Sequence, residues 1–236
     1  MPAVSQKSTP LDPAAAQDPS SRGPRWARRK ERRPAELLAA ALDLFVERGF
    51  AATRLDDVAS RAGVSKGTLY LYYASKEDLF KAVVRETVVP LIDEYRRDAA
   101  ASEDPSPVLL ARFFHDWWTR FGATKLSGLC KLMVAEAGNF PDLARFFHDE
   151  VIEPNGAVLA SLIERGIRRG EFRPIDVECA VHHWMAPMVL KAIWQVSLAP
   201  CCPPQAWIDP ERFIAFHTEG ILRTLDPAAA DGGTRR

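Results

Sequence analysis

The chain has 236 residues, 47% of them hydrophobic and 26% charged, and its formal net charge is zero. That balance is ordinary for a soluble globular protein, and no stretch approaches the roughly 20 apolar residues of a membrane-spanning helix. Residues 1–24 lack the apolar centre of a secretion signal, so a cytoplasmic protein with no membrane partner is expected.

Four cysteines, without CxxC spacing or a nearby histidine pattern, are too few for a disulfide scaffold and do not spell a zinc site. The adjacent Cys201 and Cys202 read as incidental thiols in a proline-rich loop; the alternative is a thiol or metalloid sensor. The zero net charge hides an asymmetry. Residues 22–81 carry thirteen Lys and Arg against eight Asp and Glu, whereas the rest of the chain is mildly acidic. A basic front end points to an anionic partner.

In chain order, residues 1–24 are rich in Pro, Ala, Ser and Asp and are expected to be disordered. "RWARRKERR" follows at 25–33. It is either a solvated basic run or an arm that touches phosphates or a minor groove, through Arg28, Arg29 and Arg32. From Pro34 the apolar positions Leu38, Leu42 and Phe45 recur at helical spacing, and Gly49 closes the helix. Thr53 and Asp56 have capping-box spacing for a second helix over 54–61. Gly63 suits a tight turn. Ser65 is placed to cap a third helix to about Tyr73, and Ser75 a fourth, long helix to about Ala101. Further helices are predicted over 107–122, 126–138, 141–150, 152–169, 175–198 and 210–225, with a frayed tail at 226–236. The fold class is therefore all-α, with about nine to ten helices.

Two short helices joined by a glycine turn have helix-turn-helix spacing, and the second of such a pair reads the major groove with its N-terminal residues. Here those are Ser65, Lys66, Gly67 and Thr68. On a helix, Leu69 and Tyr73 share one face, Thr68 and Tyr72 another, and Lys66 and Tyr70 a third. Tyr73 is thus expected in the core, with the Tyr70 and Tyr72 hydroxyls turned outward. Lys76, in the first turn of the fourth helix, opposes the helix dipole, a cost that a nearby DNA phosphate would offset.

"RLDDVASRAGVSKGTLYLYYASKEDLF", with the preceding "ELLAAALDLFVERGFAAT", resembles the DNA-binding signature of TetR-family transcriptional regulators. The resemblance covers about residues 34–81. It implies a three-helix DNA-binding domain (25–81 with the arm) and a helical ligand-binding and dimerisation domain (82–225). It implies a homodimeric repressor that leaves a palindromic operator when a small molecule binds. By matching position it carries base approach to Lys66, Gly67 and Thr68, and backbone contact to Tyr70, Tyr72 and Lys76, with Thr53 capping the second helix at the phosphates. Asp56 departs from the basic or polar residue some members place there, and reads as the N3 residue of the cap.

In the remaining two thirds, "FFHDWW" (113–118) and "HHWMAPMVLKAIW" (182–194) are dense in aromatics and Met. They are helix core and dimer interface, or the wall of an apolar effector pocket. His115, Trp117, Trp118, Met133, Trp184 and Met188 are the pocket candidates. Helix 175–198 is apolar nearly all round and is expected to be buried on both sides, with a kink at Pro187. With helix 210–225 it would form the dimer interface that the resemblance implies, through Ile193, Phe213, Phe216 and Ile221. His182 and His183 diverge by about 100° on a helix and do not converge on a metal. No catalytic motif is present and no cofactor is implied. The alternatives are a helical protein-interaction adaptor, or a small-molecule-binding protein or enzyme without DNA binding.

Overall fold

In a computed structural model, residues 25–203 and 207–228 are described, with side chains from Arg33 onward. The chain divides into two units, residues 1–34 and 35–236, and of the first only the opening turns of helix α1 are described. The described residues form eleven α-helices and no strand. Helix α1 spans Arg25–Arg48, so the helix predicted from Pro34 extends back through the basic run. The side chains of Arg28, Arg29 and Arg32 lie outside the described residues.

Helices α2 (Leu55–Arg61), α3 (Lys66–Tyr70) and α4 (Lys76–Thr87) fold against the apolar face of α1. Phe45, Phe50 and Phe80 are fully buried, their ring centroids 5.6 to 5.8 Å apart. Burying one such ring contributes about 1.5–3 kcal/mol. Gly49 and Gly63 have φ of +86° and +67°, the left-handed turns predicted after α1 and between α2 and α3.

The predicted 76–101 helix is two helices. α4 stops at Thr87 and α5 (Val89–Ala101) begins anew. Pro90 has no N–H for the carbonyl four residues back, so the ladder breaks there. This break accounts for the eleventh helix.

Helices α6 (Ser106–Trp117), α7 (Gly128–Glu136), α8 (Pro141–Phe147), α9 (Glu153–Arg168), α10 (Val177–Ser197) and α11 (Pro210–Leu225) complete the fold. Two of the predicted helical stretches end in wide π turns, Trp118–Gly122 and His148–Ile152. In the first, Ala123 N–H donates to Trp118 O, five residues back, and a Cβ on Gly122 would lie 2.6 Å from the Trp118 ring. In the second, Glu153 N–H donates to His148 O, directly before Pro154, which has no N–H to continue an α ladder.

α10 runs unbroken through Pro187. Its inner stripe, Ala180, Trp184, Met188 and Ala192, is buried. The expectation of burial on both sides fails within one chain, because Leu190 and Trp194 are 58% and 40% exposed.

Candidate functional site

The helix-turn-helix surface is built by local capping and by what the core leaves outside. Ser65 Oγ accepts the Thr68 N–H at 3.1 Å and shares a hydrogen bond with Thr68 Oγ1, fixing the start of α3 as predicted. Leu69 alone of α3 is fully buried. Ser65, Lys66, Gly67, Tyr70 and Tyr72 are exposed, and a Cβ on Gly67 would meet only Ser65 Oγ, at 3.9 Å. α3 ends at Tyr70 rather than Tyr73, so Tyr72 sits in the following turn and does not share a helix face with Thr68. The predicted division of the tyrosines holds: Tyr73 packs half-buried against the core and burial pushes its phenol up, while Tyr70 and Tyr72 face outward.

Two predicted roles on this surface, those of Thr53 and Asp56, are corrected, and Lys76 has partners within the chain. Thr53 does not cap α2; the N-cap is Arg54, with no side-chain hydrogen bond. The Thr53 side chain is buried, and its hydroxyl lies 2.7 Å from Gly49 O and 3.2 Å from Leu44 O, where it closes the end of α1. Asp56 is therefore not the N3 partner of a capping box. Its carboxylate pairs with Lys66 Nζ at 2.9 Å, an exposed ion pair, and such pairs are worth little in water. The hydrogen bond to Asp56, with the charge of that carboxylate, holds the Lys66 ammonium above its usual range. Lys76 does not project freely. Its Nζ donates to Phe50 O at 2.7 Å and Ala51 O at 3.1 Å and lies 4.5 Å from the Phe50 ring centroid, and burial pushes its pKa down. The ammonium thus satisfies carbonyls of the α1–α2 turn, which answers its poor placement on the α4 dipole.

The second feature is a cavity of about 760 Å³ between α5, α9, α10 and both π turns. Val88, Leu91, Ile92, Trp117, Phe121, Phe147, Val151, Met185 and Val189 are among its apolar wall residues. Tyr95 and Asn155 are its buried polar members. The Tyr95 hydroxyl donates to Asp116 O at 3.0 Å, and burial pushes its phenol up to about 12. Cys130 faces the cavity, and apolar surroundings push its thiol up to about 12, so it stays a protonated, unreactive wall residue at neutral pH.

Of the six predicted pocket residues, Trp117 alone lines this cavity. His115 and Trp118 line a more open groove between α6 and α11. Met133, Trp184 and Met188 are core residues outside both linings. Periodicity placed them on apolar stripes without saying whether a stripe met helix or void. The signal that could have found Asn155 is "EPNG", a proline flanked by two polar residues inside a helical pattern.

Among the interface candidates, Ile221 is buried within the chain, and Phe213 stacks on His217. Ile193 is half-buried and Phe216 is 76% exposed.

Residues 37–83 match the family described as bacterial regulatory proteins, tetR family, and residues 109–197 match the tetracyclin repressor-like C-terminal domain. The repressor KstR2 of Rhodococcus jostii is 31% identical over 154 residues, 64% of this chain and 74% of KstR2. The chain belongs to the TetR family. The helix-turn-helix of this TetR-family transcriptional regulator is thus α2, the Gly63 turn and α3. The activator FasR of Mycolicibacterium smegmatis is 39% identical over 75 residues, 32% of this chain but only 34% of FasR's length. The fold is similar to that of the regulator FadR of Bacillus subtilis, solved in complex with stearoyl-CoA. The TM-score is 0.63 at 18% identity, over 80% of this chain and 98% of that one. None of the helices among the described residues is long and apolar enough to cross a membrane.

Proposed function

We propose that this TetR-family regulator is a homodimeric repressor that binds a palindromic operator through α3 and releases it when a small, mostly apolar effector fills the cavity beside α5, α9 and α10. The observation that carries the DNA half is the surface of α3 and the turn after it: a small-residue, basic N-terminus with two outward tyrosines, Tyr70 and Tyr72, that the core does not use. The N-terminus of such a helix is what enters the major groove, and tyrosine hydroxyls suit phosphates. Repression rather than activation follows KstR2, whose match runs over twice the length of the FasR match.

The effector half is supported by the cavity's size and apolar wall, within the range of small-molecule sites. Its wall includes Phe147 and Val151, and the intervening Glu150 holds Arg85 of α4 at 2.7 Å, so a filled cavity adjoins the helix that follows α3. Dimerisation is supported by the apolar residues that one chain leaves in solvent on α10 and α11, Leu190, Trp194 and Phe216. We assign no enzymatic activity to the chain. A mobility-shift titration with the promoter region of its own gene tests the reading: a salt-sensitive shift is expected, and none at low salt would overturn it.

A further inference from the structure

The cavity contains a polar group that the fold itself does not use. Asn155 lies on the inner face of α9, one residue after Pro154, and is 8% exposed. Its amide Nδ2 reaches only Met185 Sδ, at 4.0 Å, and among the described residues nothing donates to its Oδ1. Thioether sulfur is a weak acceptor. The Asn155 Oδ1 keeps access to solvent, and the amide borders open volume rather than packed atoms.

The charges around the same volume have one sign. Among the described residues, no Lys or Arg lines it, while Glu153, Glu164 and Glu178 do, all at the exposed rim. Glu164 has Arg168 at 3.7 Å; Glu153 and Glu178 have no ion-pair partner among the described residues. The rim imidazoles are His182 and His148, whose Nδ1 is 3.0 Å from Asp149. A carboxylate or phosphate entering here would lose water and meet like charge, with no fixed cation to receive it.

We propose that the cavity selects an uncharged, mainly apolar effector carrying one carbonyl or carboxamide group, which Asn155 holds, and that it discriminates against carboxylates and phosphorylated ligands. This deepens the effector-released reading above and rests on it. The asparagine side chain both donates and accepts, so a single bound carboxamide can satisfy its Nδ2 and Oδ1 together, while the alkyl or ring body fills the wall between the two π turns. Discrimination is strong for such a site, because a ligand without the polar group leaves the buried amide unpaired.

The test uses three probes with one tail, decanamide, decanoate and decyltrimethylammonium, titrated calorimetrically into the full-length protein at pH 8. Decanamide is expected to bind at least tenfold tighter than decanoate and no weaker than the cation. Asn155→Leu, close in volume, is expected to cut decanamide affinity at least fivefold without weakening decanoate. Equal or tighter decanoate binding, tightest binding of the cation, no decanamide binding, or an unchanged decanamide affinity in Asn155→Leu would each overturn the proposal. The wild-type amide-to-acid ratio decides even if the variant does not fold. A promoter mobility shift on the same preparation separates the two readings. DNA binding without decanamide binding removes the cavity assignment alone, and absence of DNA binding removes the regulator reading whatever the probes do.

Discussion

Glu136 Oε1, at the end of α7, accepts the Ala51 N–H at 3.1 Å, and Ala51 O in turn accepts Lys76 Nζ at 3.1 Å. The turn between α1 and α2 is therefore held from both sides, by a carboxylate from the C-terminal part of the chain and an ammonium from α4. Phe140, in the turn ahead of α8, lies 4.8 Å from Phe50 and completes the contact with an aromatic edge.

These partners act on one short turn, so they are expected to be coupled. Glu136→Ala and Lys76→Ala should each destabilise the protein by about 1 kcal/mol, the net value of one such hydrogen bond. The double variant should cost less than the sum. Urea denaturation of the four proteins measures this, and strict additivity would mean that the turn does not transmit strain between them.

The DNA assignment predicts a separation of effects on α3 and the turn after it. Tyr70→Phe with Tyr72→Phe should leave the melting temperature within error, because neither hydroxyl has a partner among the described residues. It should weaken promoter binding several-fold. Lys66→Ala should lower the slope of log affinity against log salt by about 1 if the ammonium leaves Asp56 for a phosphate. A slope unchanged in Lys66→Ala would show that the Asp56 pair persists on DNA.

Gly128 lets α7 come close to α1: a Cβ there would lie 2.5 Å from Val46 Cγ1. Gly128→Ala should destabilise by about 1–3 kcal/mol, the cost of overpacking a filled contact. Val46→Ala added to it should recover part of that loss. Failure of the second change to help would place the strain elsewhere.

His217 gives the fold an acid limb. Burial holds its pKa below the ordinary 6.5, against the partial support of its Nε2 contact with Trp184 O at 2.9 Å. A histidine kept neutral in the folded state binds fewer protons than the unfolded chain. Its contribution is thus present above about pH 6.5 and is lost as pH falls below that value. The melting temperature of His217→Phe is expected to change less between pH 7 and pH 5 than that of the wild type, measured by thermal unfolding across that range.

The exposed apolar stripe predicts assembly. Leu190→Glu with Phe216→Glu should convert a dimer into a folded monomer, read by light scattering after size exclusion, with the helical circular dichroism retained. A dimer that survives both charges would put the interface on another face.

Sequence by itself determined the class and the DNA-reading unit of this protein, because those rest on local physics. The Ser65 cap, the left-handed glycines at 49 and 63, and the 3.6-residue spacing of Leu38, Leu42 and Phe45 act within a few residues of each other. Tertiary structure decided what local pattern leaves open. Thr53 and Asp56 have capping-box spacing, yet the Thr53 hydroxyl turns to the carbonyls at the end of α1 because burial there needs a polar partner more than α2 needs a cap. Met133, Trp184 and Met188 lie on apolar stripes like those of the cavity wall, but neighbouring helices fill the space in front of them. The cavity exists where two π turns and Pro154 keep α9 and the segment after α6 from closing on α10, and Asn155 faces it. A void is a property of several helices at once, and no single stretch of sequence encodes it.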